Sequence, residues 1–129
     1  ILNLLKDIQE EFNLTLLFIA HDLAVVQFFC DVVAVMYLGR IVELAESKEL
    51  YKNPCHPYTK ALMSAIPHVD PSMRGVRTAL KGEVPSIINP PSGCHFHPRC
   101  PIAEDRCRGE DISFHEAGEG HLVRCWKHS

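Results

Sequence analysis

The six cysteines of this chain are unevenly placed, and four of them follow one another as Cys94-x5-Cys100-x6-Cys107-x17-Cys125. Four thiolates are the usual ligand set of a structural zinc ion or of an iron–sulfur cluster. Zinc often draws two ligands from one tight C-x₂₋₄-C turn, and the sequence has no such turn here. The wider loops suit a cubane, whose four corners lie further apart. Cys100 is followed by Pro101, as one cysteine is in bacterial ferredoxin-type runs. Disulfides and free thiols are the other readings. His95, His97 and His121 lie close by and could replace a thiolate at zinc, although such histidines are more often exposed and idle. Cys30 and Cys55 stand alone and read as small buried apolar residues.

A second candidate for chemistry is His21. The run Leu14 to Ala20 (LTLLFIA) is continuously apolar, and its lack of alternation predicts a strand buried on both faces, as in parallel sheets. Ligands of open α/β sheets sit beyond the carboxyl ends of the strands. A histidine placed there can bond a terminal phosphate and orient an attacking water. The competing reading is a His-Asp pair that only caps the next helix.

These residues must be positioned by the elements around them. Ile1, Leu4, Leu5, Ile8 and Phe12 recur at helical spacing, with Lys6, Asp7, Gln9, Glu10 and Glu11 on the other face. Asn13 is a stop. Asp22 is placed to cap a helix over Leu23 to Phe29. Asp31 to Leu38 predicts a strand, Leu38-Gly39 a tight turn, and Arg40 to Leu44 its hairpin partner. Ser47 is placed to cap a short helix that Pro54 ends. Another helix is expected from Pro57 to Ile66, with Pro67 beyond it. Its apolar face would be Tyr58, Ala61, Leu62 and Ala65, for packing rather than for ligand binding by His56 or Tyr58. Pro67 to Ala79 reads as linker, and Leu80 to Val84 as a short extended stretch. The part from Gly93 to Ser129 is rich in Cys, His and charge and poor in apolar runs. A bound metal would then hold it together.

Composition narrows the class. The 129 residues are 47% apolar and 22% charged, as in a soluble globular protein, and the formal charge is −3. That charge gives no reason to expect nucleic acid or an anionic membrane surface. The longest unbroken apolar run, Val32 to Leu38, is far short of the roughly 20 residues of a membrane helix. No charged leader precedes an apolar core. The chain begins inside an amphipathic pattern at Ile1 and reads as a piece of something longer.

The stretch LLFIAHDLAVV followed by DVVAVMYLGRIVE resembles the segment of ABC-transporter ATPases that carries the switch histidine. The resemblance implies that His21 meets the γ-phosphate of ATP. The run His56-Pro57-Tyr58-Thr59 before KALMSAIP, and LKGEVPSIINPPSGC after it, resemble the C-terminal extension of oligopeptide and dipeptide importers. In that family the cysteine pattern goes with a [4Fe–4S] cluster, and Cys94, Cys100, Cys107 and Cys125 all match.

The resemblance therefore implies an α/β fold made of two parts. Residues 1–50 would be the end of a P-loop ABC nucleotide-binding domain, and residues 51–129 an irregular, cysteine-rich extension. The parent protein would bind ATP and Mg²⁺ and drive import of small peptides. It would work at the cytoplasmic face of the inner membrane, without inserting. Its partners would be a second ATPase subunit, two membrane-spanning permease subunits and a substrate-binding protein. The sequence has no GxxxxGK[ST] loop, no LSGGQ-type signature and no apolar strand ending in Asp-Glu, so hydrolysis by this chain alone is not expected. Residues 1–50 are expected to expose apolar faces. Three alternatives stay open. One is a free-standing zinc or iron–sulfur module. Another is a nickel or sugar importer subunit. The last is an extension that joins ATPase subunits to each other.

Overall fold

A computed structural model describes residues 1–66, 80 and 82–128. The stretch read as linker, Pro67 to Ala79, lies outside the described residues. So does Lys81 within the stretch Leu80 to Val84, whose described residues form no strand.

Helix α1 spans Leu2–Phe12 and ends where Asn13 turns left-handed at φ 49° and ψ 50°. Asn tolerates that conformation better than most residues, which is why the chain can reverse there. Helix α2, Leu23–Phe29, begins at Asp22, whose Oδ1 accepts from the amides of Ala24 (2.9 Å) and Val25 (3.3 Å).

Between them the sequence-based expectation fails. Residues 14–20 form neither strand nor helix. A parallel strand takes its hydrogen bonds from neighbours on both sides, and no described residue pairs with this run. Phe18 packs against Phe29 and the core, but Leu17 is 91% and Ile19 89% exposed.

Strands β1 (Val32–Tyr37) and β2 (Arg40–Glu46) form the expected antiparallel hairpin. Leu38 and Gly39 both take positive φ, 44° and 76°, as a two-residue turn of the twist-compatible type requires. Val33, Val35 and Tyr37 face the core, while Val32 and Met36 are exposed. Helix α3, Ser47–Lys52, follows β2 without a loop. Because β2 pairs through Glu46, the non-helical cap position falls on Glu46. Ser47 is thus the first helical residue and not the expected cap. Helix α4 spans Pro57–Ser64, with proline at its first turn.

The C-terminal part holds a 3₁₀ turn at His97–Arg99, a short helix α5 (Arg106–Gly109), strands β3 (His115–Gly118) and β4 (His121–Val123), and a 3₁₀ turn at Trp126–His128. Strand β4 pairs antiparallel with β2 and with β3, giving one sheet of order β1-β2-β4-β3. Residues some eighty positions apart are therefore joined by backbone hydrogen bonds.

The core lies between this sheet and the loops that cross it. Tyr37 of β1, Tyr58 of α4 and Phe96 form a ring cluster, with centroids 4.7 Å (Tyr37–Tyr58), 5.1 Å (Tyr37–Phe96) and 5.4 Å (Tyr58–Phe96) apart. Tilted and edge-on pairs of this kind add about 0.5–1.5 kcal/mol each beyond their burial. The expected packing face of α4 is met by Tyr58, Ala61 and Leu62, whereas Ala65 is exposed.

Candidate metal centre

Phe96 sits between two of the candidate cysteines, so the ring cluster anchors their loop. Gly93 opens that loop at φ 67°, a conformation that L side chains rarely adopt. A Cβ there would lie 2.5 Å from the Cys107 carbonyl oxygen and 2.8 Å from that of Glu110. The close approach lets the Cys94 amide donate to the Cys107 carbonyl at 2.9 Å. Arg40 ties the loop to the hairpin, donating to the Gly93 carbonyl (3.3 Å) and to Asp111 (2.5 Å). Successive turns follow at Cys94–His97, His97–Cys100 and Glu104–Cys107, each closed by a backbone hydrogen bond.

This folding brings Cys94, Cys100, Cys107 and Cys125 around one pocket, walled by Phe96, Ile112 and Trp126 with His56 and Pro57 at its side. Burial raises the thiols of Cys94 and Cys125 and pushes that of Cys100 up to about 11, each reinforced by the neighbouring cysteines. Neutral thiols are thus the resting state, and a cation would reverse that preference. Among the described residues, no three of these sulfurs fall within 4.8 Å of one another. Thiolates on one tetrahedral zinc, at about 2.3 Å from the metal, would be only about 3.8 Å apart. Four thiols around one pocket are a donor set that fits a metal ion or a cluster.

The histidines differ from expectation. His95 and His121 are buried rather than exposed. His95 Nδ1 lies 3.1 Å from the Leu38 carbonyl, and His97 Nδ1 lies 2.9 Å from that of Cys94, so both brace the loop. Cys30 and Cys55 are half-buried rather than buried. His21 stands exposed at the bend between residues 14–20 and α2, and is not brought to the cysteine pocket.

Sequence reasoning missed Glu43. It is fully buried on β2, and its carboxylate accepts from the amides of Cys55 (2.6 Å) and His56 (2.9 Å) and bonds His121 Nε2 at 2.7 Å. One side chain thereby joins β2, the entrance to α4 and β4. The available signal was a lone carboxylate inside the apolar strand IVEL. His56, expected to pack, lies against Phe96, with ring centroids 5.7 Å apart. It also caps α4, its Nδ1 accepting from the Tyr58 amide at 3.1 Å. Burial pushes the His56 pKa down to about 4, so the ring is neutral and free to accept.

A hairpin-based sheet carrying a cysteine-lined pocket is the class that the fold and site define. Residues 42–107 match the oligopeptide/dipeptide transporter, C-terminal region, and the chain belongs to that family. It is 50% identical over 131 residues to the oligopeptide transport ATP-binding protein AppF of Bacillus subtilis, covering 100% of this chain and 40% of that protein. It is 47% identical over 126 residues to the dipeptide transport ATP-binding protein DppF of Haemophilus influenzae, covering 98% and 38%. A Brucella ovis protein named for peptide import and ATP binding is 53% identical over 125 residues, covering 97% and 39%. The chain thus spans about two fifths of the length of these curated relatives.

Proposed function

We propose that this chain is the C-terminal part of an ATP-binding subunit that energises ABC-type import of oligopeptides or dipeptides, with a [4Fe–4S] cluster held by Cys94, Cys100, Cys107 and Cys125. The observation that carries the cluster is the convergence of these four cysteines on one pocket. The importer role rests on the family and on the names of its relatives. Residues 1–50 belong to the nucleotide-binding domain in this reading, and residues 51–129 to the extension. ATP and Mg²⁺ are bound by the subunit as a whole, and His21 meets the γ-phosphate there. A second ATPase subunit, two permease subunits and a substrate-binding protein complete the importer at the cytoplasmic membrane face. No helix among the described residues is long and apolar enough to cross a membrane.

When bound, the cluster supplies a cationic core that turns four thiols into thiolates. The protein's own part is mechanical. Gly93 lets two loop segments close on each other, Phe96 fixes the loop against α4, and Glu43 holds β4 to the hairpin.

The test is the iron, zinc and acid-labile sulfide content of protein purified without oxygen. Iron with matching sulfide is expected. Zinc without sulfide, or no metal with all thiols free, would overturn the cluster. The importer role is tested in the whole subunit, where His21→Ala is expected to slow ATP hydrolysis by about 10²-fold or more. Unchanged hydrolysis would remove His21 from the chemistry.

A further inference from the structure

Beside the cysteine pocket lies a different group of donors. Glu43, Cys55 and His121 place a carboxylate oxygen, a sulfur and a ring nitrogen all within 4.8 Å of one another. Oxygen, thiolate and imidazole are the donors that zinc takes, at about 2.0–2.3 Å, which puts neighbouring donors roughly 3.3–3.8 Å apart. We propose that Glu43, Cys55 and His121 form a second metal site, for a zinc-like divalent cation, separate from the four-cysteine pocket.

Three observations carry this. First, the donors come from three places in the chain that the fold brings together: β2, the segment before α4, and β4. Glu43 and His121 are buried, so their geometry is set by packing rather than by solvent. Second, the charges balance. One carboxylate and one thiolate, with a neutral imidazole, cancel a divalent cation. Among the described residues Glu43 has no lysine or arginine in ion-pair contact, and its one ion-pair partner is His121. Third, the carboxylate is already oriented. The amides of Cys55 and His56 hold both of its oxygens, as outer hydrogen bonds orient ligands at metal sites generally. The metal takes the place of the proton between His121 Nε2 and Glu43 Oε1, now 2.7 Å apart, and these atoms move apart by about half an ångström to admit it. Cys55 releases its thiol proton to solvent on binding. A water completes the tetrahedron. The half-buried position of Cys55 gives the ion its way in.

The site is tested by cysteine alkylation with iodoacetamide under anaerobic conditions, followed residue by residue by mass spectrometry, with and without excess Zn²⁺. Zinc is expected to slow modification of Cys55 by tenfold or more and to leave Cys30 unchanged. Glu43→Gln and His121→Gln are each expected to abolish the slowing at Cys55 alone. Because those variants alter buried positions, a second measurement uses Cys55→Ala, whose side chain is half-buried and whose backbone bonds remain. Equilibrium dialysis should show it binding one zinc fewer per chain than the unaltered protein. Equal alkylation of Cys55 with and without zinc would overturn the proposal, and so would a full zinc complement in Cys55→Ala. Neither readout depends on what fills the four-cysteine pocket.

Discussion

Glu43 and His56 show how much of this structure hangs on single polar side chains. The Glu43 carboxylate satisfies two backbone amides and a buried imidazole. Removing it leaves donors without acceptors at a buried position, and that costs more than the bonds themselves contribute. Glu43→Ala is expected to destabilise the fold by about 3–5 kcal/mol in urea unfolding. Glu43→Gln should cost less, about 1–3 kcal/mol, because one amide oxygen still accepts while the NH₂ meets a donor. At His56, Ala removes both the cap to Tyr58 and the ring against Phe96. His56→Asn keeps a cap acceptor, so Ala should be the less stable of the two by about 1 kcal/mol in the same assay.

At the scale of elements, the loop that carries Cys94 and the strand that closes the sheet are the parts most open to attack. Gly93→Ala would place a Cβ 2.5 Å from a backbone carbonyl at positive φ, and neither neighbour is a flexible side chain. A loss of about 1–3 kcal/mol is expected, and Cys94 would shift with the loop. Thermal unfolding and iron content per chain check this together, both being expected to fall. Gly39 also has positive φ, but a Cβ there meets nothing within 4 Å. Gly39→Ala should therefore lower stability by only about 1 kcal/mol and leave metal content unchanged. The contrast separates a glycine needed for close approach from one needed only for a turn. By comparison, the ion pair of Arg40 with Asp111 is partly exposed, and the hydrogen bond to Gly93 is its more useful half.

For the whole molecule, the described residues divide into a well-buried sheet with its crossing loops and an N-terminal arm that buries little. Helix α1 has no buried residue, and Leu17 and Ile19 are almost fully exposed. Contiguous exposed apolar surface of this kind marks a place where other protein packs. The chain alone is expected to self-associate as its concentration rises, and Leu17→Lys with Ile19→Lys to reduce this in sedimentation velocity. Because these side chains touch no core, the double variant should change unfolding free energy by no more than about 0.5 kcal/mol per site.

The elements that are local in origin were legible in the amino-acid order. The hairpin turn at Leu38-Gly39, the Asp22 cap and the proline start of α4 each follow from short-range stereochemistry, and each is present. The spacing of the four cysteines suggested that they act together, and the fold brings them to one pocket. What the chain order did not disclose depends on contacts between distant residues. Residues 14–20 looked like a strand because apolar continuity reports burial, but a ladder needs neighbours that no described residue supplies. Strand β4 is too short to announce itself, and it exists because β2 offers it an edge. Glu43 looked like an ordinary strand residue until the fold set it against Cys55, His56 and His121. A carboxylate states its charge in the sequence, while the partners that make it buried and structural are chosen only when the chain closes on itself.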